Sequence, residues 1–389
     1  MHDAVIVGGS VAGLYTGWKL AQAGWRVCVV ERRPAIGVPV RCGEATGNRT
    51  EIERFIPLDS SWVAAEIAGL AVHMGDGCLM SRRIPQTGLM LRRGLFEQDL
   101  ARRAAAAGVE IRLGVTATGL AGECGRWQGV QIAPGELLAC RVMVGADGAE
   151  SRLGRWAGIC SRLTLAESFS AAQYRVRSGF CTDGLLHFWV GRDTIGPGYV
   201  WVFPKGDGEV SIGAGLYGGS AGGRTARGLL DEFLARRAPG AERRMLISGC
   251  VPVTVCPRTL HRGNAVVVGD AARQDNPLTA GGIMNTLEAA DLLVRSLTSP
   301  GLSPARALAR YSSVWRHKAR FEQKVFLLLQ RVFQDCSDRD LRLLLGRADR
   351  AFAHLADRSH TFRWPVLDLV RLFAMVAPKA ARHLGVLWG

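Results

Sequence analysis

Gly8-Gly9-Ser10-Val11-Ala12-Gly13 is the stretch of this sequence best suited to holding a charged ligand. Glycines at that spacing leave backbone N–H groups unshielded, and a helix opening there turns its positive end towards an anion, the combination that cradles a pyrophosphate. Glu31 follows Gly13 by 18 residues, close to the roughly 20 at which a carboxylate meets a ribose hydroxyl. The second glycine of the G-x-G-x-x-G pattern is Ser10 here, whose hydroxyl is small enough to bond a phosphate. Two more acid turns follow, Asp147-Gly148 and Gly269-Asp270, the second running on to Pro277 and Gly281-Gly282-Ile283. An Asp-Gly turn is ordinary in itself, but downstream of a dinucleotide fingerprint it points to the cofactor side. Tyr199, Trp201 and Phe203, closed by Pro204, alternate along one strand and so share one face. Such a stripe serves as core, or as the wall of a site for a long apolar ligand.

These residues need particular elements to hold them. Ala4–Val7 reads as a buried strand, Leu14, Trp18 and Leu20 recur at helical spacing, Gly24 ends the helix, and Arg26–Val30 is a second strand, making a βαβ unit. A helix follows Arg93, with Leu95, Phe96, Leu100 and Ala104 on one face and Glu97 and Asp99 in its first turns. The glycine-punctuated stretch 115–139 reads as a small antiparallel insert. From 161 to 255 the sequence is strand-rich, with one helix near 224–237. Ala265–Val268 is a further buried strand, and everything after Ser303 is helical. The expected fold class is α/β: a Rossmann-like three-layer ββα domain from 1–60, 90–160 and 257–300, interleaved with an antiparallel-sheet substrate domain from 61–89 and 161–256, and a C-terminal helical region, 301–389.

Bulk composition bounds the partners. With 49 Lys+Arg against 34 Asp+Glu, a formal charge of +15 favours anions such as nucleotide cofactors or anionic lipid. The basic residues are spread along the chain and mostly Arg, which argues against nucleic acid. Ten cysteines without a C-x-x-C pair give no metal or dithiol motif and fit a reducing cytoplasm. Met1-His2-Asp3 running straight into the first strand predicts no signal peptide, and with no apolar run of roughly 18 residues no spanning helix is expected.

The three sites in this order resemble the flavoprotein class with the p-hydroxybenzoate-hydroxylase-like fold, and within it the geranylgeranyl reductase family. Tyr199, Trp201, Phe203 and Pro204, followed after eight residues by Gly213-Ala214-Gly215, match the family's Y-x-W-x-F-P-(x7–8)-G-x-G substrate motif. Pro39-Val40-Arg41-Cys42-Gly43-Glu44 matches its cysteine loop. The resemblance runs from residue 4 to about residue 300, and Ser10, Arg273 and Ala280 stand where the family usually has glycine.

The resemblance implies FAD in an extended form. Its contacts would be Gly8, Gly9, Ser10, Ala12 and Gly13, Glu31 and Arg32, Arg41, Cys42 and Gly43, Arg93, Gly269 and Asp270, Pro277, and Gly281, Gly282 and Ile283, the last three along the isoalloxazine. It implies a substrate site of Tyr199, Trp201, Phe203, Pro204, Gly213 and Gly215, and reduction of isolated carbon–carbon double bonds in a polyprenyl chain on a lipid, diphosphate or quinone. Cys42 is the candidate catalytic residue: a thiol, with an ordinary pKa near 8.5, is mostly protonated at neutral pH and compact enough to stand beside an apolar chain. The external electron donor is NAD(P)H or a ferredoxin-type redox partner.

Two other readings share the fold. A flavin monooxygenase would need a more polar pocket, and a prenyl-lipid carrier would have no use for Glu31 and Gly269-Asp270. A polyprenyl substrate also implies work at the inner face of the cell membrane. The apolar segment 365–387, flanked by Trp364 and Trp388 and basic towards its end, is the candidate contact with anionic lipid.

Overall fold

The computed structural model describes residues 1–181 and 183–355, with 381–383 and 385; the segment 365–387 expected at the membrane lies almost wholly outside the described residues. The chain divides into two compact units, each assembled from separated stretches. The first comprises Met1–Val40, Arg93–Thr164 and Pro252–Gln323, the second Arg41–Arg92, Leu165–Val251 and the chain from Lys324 onward.

In the first unit, apolar runs that are buried on both faces form a parallel sheet, as a sheet covered by helices requires. Strand His2–Val7 lies centrally, pairing Val5 with Cys28 of Val27–Glu31 on one side and with Met143 of Glu136–Gly145 on the other. Outside these stand Glu110–Leu113 and Ala265–Val267, both parallel, with His261–Arg262 antiparallel at the edge. Strand Glu136–Gly145 serves two sheets: its first residues pair antiparallel with Arg126–Ile132, which pairs with Ala117–Glu123, and its last enter the parallel sheet. This is the expected antiparallel insert. Helices Val11–Gln22, Arg93–Ala106 and Ile283–Leu297 complete the layers.

One helix face differs from expectation. In Arg93–Ala106, Phe96, Leu100 and Ala104 are buried, but Leu95 is 44% exposed while Glu97 and Asp99 are buried. Each acid is paired, Asp99 with Arg102 and Arg103 and Glu97 with Arg93 at 2.8 Å, so paired charge takes the inward positions that periodicity assigned to Leu95.

The second unit holds an eight-stranded sheet in the order Glu242–Pro252, Ser168–Arg177, Glu209–Tyr217, Gly198–Gly206, Leu186–Trp189, Val63–Met74, Gly77–Leu91, Ala45–Thr46. It is largely antiparallel, with one parallel pair between Leu186–Trp189 and Val63–Met74. Alternation divides its faces. Val200, Val202, Ile212 and Ala214 pack beneath helix Ala226–Arg237 through Leu229, Leu230 and Phe233, which leaves Tyr199, Trp201 and Phe203 on the opposite side. On the helix side a chain of polar groups crosses the sheet: His73 Nε2 lies 2.9 Å from His187 Nδ1, and His187 Nε2 2.8 Å from Asp183. His73 also stacks on Trp189.

Candidate functional site

The first unit gathers the dinucleotide residues. Gly8 has φ +115°, and a β-carbon there would stand 2.1 Å from the Ala146 carbonyl oxygen; at Gly13 it would stand 1.9 Å from the Gly8 carbonyl. Neither position admits a side chain, because strand end and helix start are pressed together. Gly9 donates its N–H to Glu31 at 2.7 Å, and the other Glu31 oxygen accepts from the Arg33 amide at 2.9 Å. The carboxylate is thereby held at the carboxyl end of its strand, while Arg32 beside it is exposed. Ser10 is the N-cap of helix Val11–Gln22 but gives it no side-chain hydrogen bond, so the first amides of this helix keep their capacity for an anion.

The Ser10 hydroxyl is committed elsewhere. It donates to Glu97 at 2.5 Å and accepts from Arg93 at 3.2 Å, since a carboxylate is a stronger acceptor than a neutral group. The hydroxyl expected beside the phosphate thus sits in a Ser10–Glu97–Arg93 triad. Arg93 in turn acts on Asp270, and the Ala12 β-carbon lies 3.1 Å from where one on Gly269 would be. The first turn, Arg93 and the Gly269–Asp270 turn are thus brought to one place.

Asp147, expected on the cofactor side, has its carboxylate engaged within the chain. Its carboxylate accepts from Ser151 Oγ at 2.6 Å and from the Arg152 and Leu153 amides at 2.7 and 2.9 Å, which is the capping of helix Arg152–Trp156. Its neighbour Ala146 instead meets the turn, through its carbonyl.

After Asp270 the backbone is tightly laced. Asn276 Oδ1 accepts from the Leu278 and Thr279 amides, Pro277 is buried, and Gly282 is the N-cap of helix Ile283–Leu297, again without a side-chain hydrogen bond. Arg273 and Ala280 both have φ +55°, so two of the positions where the family has glycine carry left-handed residues, each at a cost on the order of 1 kcal/mol. Sequence reasoning passed over Asp275. It is 3% exposed, Oδ2 has no hydrogen-bond partner, and burial together with Asp270 pushes its pKa well above the carboxylate range.

The second unit holds the cysteine loop and the aromatic wall. Ring centroids lie 5.9 Å apart for Tyr199 and Trp201 and 6.2 Å for Trp201 and Phe203, and Phe188 joins them at 5.4 Å from Phe203. The paired glycines make this possible. A β-carbon on Gly213 would stand 2.1 Å from the Trp201 ring, and one on Gly215 2.0 Å from Phe169. Pro204 lies opposite Val210 in the same register. The Trp201 Nε1–H is buried without a partner.

Gly43 lies against this wall, its missing β-carbon 3.5 Å from Phe203 and 3.9 Å from Trp201 Nε1. The loop is pinned on both sides of the thiol. The Cys42 carbonyl accepts from Gln173 Nε2 at 2.7 Å, and Gln173 Oε1 accepts from Ser211. Glu44, at φ +70°, donates its amide to Cys42 Sγ at 3.2 Å, and its buried carboxylate pairs with Lys205 at 2.7 Å and Arg175 at 3.7 Å. Burial lowers the Lys205 pKa, an effect that Glu44 opposes. Lys205 also donates to the Leu91 carbonyl. Arg41, at the start of the loop, is exposed.

Among the described residues, one group has metal-ligand geometry: His2, Cys28 and Glu110. Glu110 is already bonded to Arg112 at 2.6 Å and His2 at 3.0 Å, and burial raises the Cys28 thiol to about 12, so a cation would have to displace both a guanidinium and a proton. None of the ten cysteines is joined in a disulfide.

Comparison with known proteins bears on both units. Residues 167–252 match the geranylgeranyl reductase catalytic domain, which takes in the aromatic wall and its glycines. Residues 6–55 match an NAD(P)-binding Rossmann-like domain. The digeranylgeranylglycerophospholipid reductase of Methanosarcina mazei is 30% identical over 100% of this chain and 96% of its own length, and that of Methanothrix thermoacetophila is 33% identical over 98% and 99%. Among solved structures, a geranylgeranyl bacteriochlorophyll reductase-like protein from Thermoplasma acidophilum superposes with a TM-score of 0.85 at 26% identity, over 99% of each chain. With the dinucleotide turn, the cysteine loop and the aromatic wall all in place, and relatives of this identity matching end to end, the chain belongs to the geranylgeranyl reductase family of FAD-dependent oxidoreductases.

Proposed function

We propose that this protein hydrogenates isolated carbon–carbon double bonds of a geranylgeranyl-type chain, with FAD as its cofactor and a glycerophospholipid as the first carrier to test. The observation that carries the reading is the aromatic wall with its bare partner Gly213: a sheet that removes side chains opposite Trp201 maintains an apolar surface of defined depth, suited to a linear run of methyl-bearing isoprene units. The names of the relatives supply the carrier.

In this reading the Gly8–Gly13 turn and the uncapped start of helix Val11–Gln22 hold the pyrophosphate, Glu31 a ribose, and Arg93, Asp270 and the Gly281–Ile283 turn the flavin end. When bound, FAD in its reduced form would supply the hydride, with NAD(P)H or a ferredoxin-type protein as the external electron donor to test. An isolated alkene has no carbonyl to polarise, so the protein's share is orientation, exclusion of water and a proton for the neighbouring carbon. Tyr199, Trp201 and Phe203 fix the chain, and Cys42, held by Gln173 and Glu44, stands beside it as the candidate proton donor.

Purified protein reconstituted with FAD, reduced anaerobically with dithionite, is to be offered an archaeal-type unsaturated ether lipid, geranylgeranyl diphosphate and menaquinone, with products read by mass spectrometry. Mass gains of two hydrogens per reduced bond are expected, first on the glycerophospholipid. NADPH-driven oxygen uptake with an oxygenated product would make the chain a monooxygenase, and protein that binds prenyl lipid yet shows no flavin spectrum would make it a carrier.

A further inference from the structure

Asp275 is held with unusual completeness for a residue that the proposed reaction leaves without a task. On its N-terminal side, Gln274 accepts from the Gly269 amide at 2.7 Å and donates to Tyr311 Oη at 2.9 Å, while the Gln274 carbonyl accepts from Asn285. The Asp275 carbonyl itself accepts from Gln323 Nε2 at 3.3 Å, and the same amide group bonds the Arg273 carbonyl at 2.7 Å. The carboxyl group therefore has little freedom to swing out to water. It lies against the start of helix Ile283–Leu297: Oδ1 stands 1.9 Å from the place a β-carbon on Gly282 would take, so only glycine fits there.

Three facts then constrain its chemistry. The side chain is 97% buried, Oδ2 has no hydrogen-bond partner, and helix Ile283–Leu297 starts with no side-chain cap and no acid in its first turn. An ionised carboxylate left unpaired in such a place carries a large desolvation penalty. The titratable group acting on it is another buried acid, Asp270, whose own pKa burial raises and Arg93, itself paired with Glu97, draws back down. Arg93 favours the charge on Asp270, so of two interacting acids the one without a cation keeps the proton. A neutral acid here also leaves the positive end of the helix uncompensated, and its O–H is one more donor at a place where the ligand is anionic.

We infer that Asp275 is a positioning residue for the flavin, a neutral acid behind the Gly281–Ile283 turn that directs its O–H and the uncompensated helix start towards the negative charge of the reduced cofactor. This rests on reading the first unit as the holder of FAD, and the two are separable: absence of a flavin spectrum after reconstitution fails that reading, whereas the inference is tested on flavin-loaded protein.

The test is the reduced-minus-oxidised infrared difference spectrum of the FAD-loaded enzyme in the region of protonated carboxyl C=O stretching. A derivative-shaped band that moves to lower frequency in D2O and vanishes in Asp275→Asn is expected. If Asp275→Asn does not load flavin, Asp275→Glu is to shift the band instead of removing it. A loaded wild-type enzyme with no such band, or a band that survives unshifted in either variant, overturns the inference; a buried acid with a purely structural role would not respond to the charge of the cofactor.

Discussion

Gly213 and Cys42 make separable demands on the same wall. Replacing Gly213 with Ala drives a methyl group into the Trp201 ring, so the ring must turn; long-chain turnover is expected to fall by at least about tenfold, the effect of a misplaced reacting group, with FAD affinity unchanged in a fluorescence titration. Cys42→Ala leaves the wall intact and is expected to lower the rate or change which bonds are reduced, as read by product mass. An unaltered rate and product pattern would make the thiol only a small packing residue. What the sequence discloses at this scale is the set of residues whose spacing is itself the signal: Gly8, Gly13, Glu31, Tyr199, Trp201, Phe203. Glu97, Gln173 and Asp275 escaped it, because Glu97 meets Ser10 from 87 residues away and Gln173 meets Cys42 from 131, and neither separation leaves a local pattern. Arg273 and Ala280 were visible as departures from glycine, but only φ shows what the departure costs.

Elements were legible where periodicity was strong. The βαβ opening and the alternation along Gly198–Gly206 follow from apolar spacing, since one face of each must be covered, and the antiparallel insert from its glycine punctuation. Leu95 was misassigned because a paired carboxylate can take an inward position. The His73–His187–Asp183 chain had no sequence signal either, because it joins strands that are neighbours only in the folded sheet. It gives the second unit a pH response. Burial, then His187, lowers His73 to about 4, against about 6.5 for an exposed imidazole. Between those values the unfolded chain binds a proton that the folded one does not, so stability is complete above about pH 6.5, declines as the pH falls towards 4, and levels off below. Thermal unfolding followed across that range should show the decline in the wild type and a flatter profile in His73→Phe. Equal slopes in the two proteins would dismiss this account.

For the molecule as a whole, the excess of basic over acidic residues and the insolubility of a polyprenyl lipid lead to one expectation. Among the described residues no helix is long and apolar enough to cross a membrane. The full-length protein should float with anionic liposomes at low salt and be released as salt screens the charge; protein that stays at the bottom of the gradient at low salt would rule that out. The interleaving of the two units also governs how the chain is made. Strand Ala265–Val267 completes the parallel sheet against Glu136–Gly145, yet at about 5–20 residues per second a ribosome needs roughly 6–24 s to synthesise the roughly 120 residues between them. For that interval the last residues of Glu136–Gly145 offer an unpaired apolar edge to any other nascent chain. Raised chaperone levels during synthesis should therefore increase the soluble yield more than any change at the substrate wall.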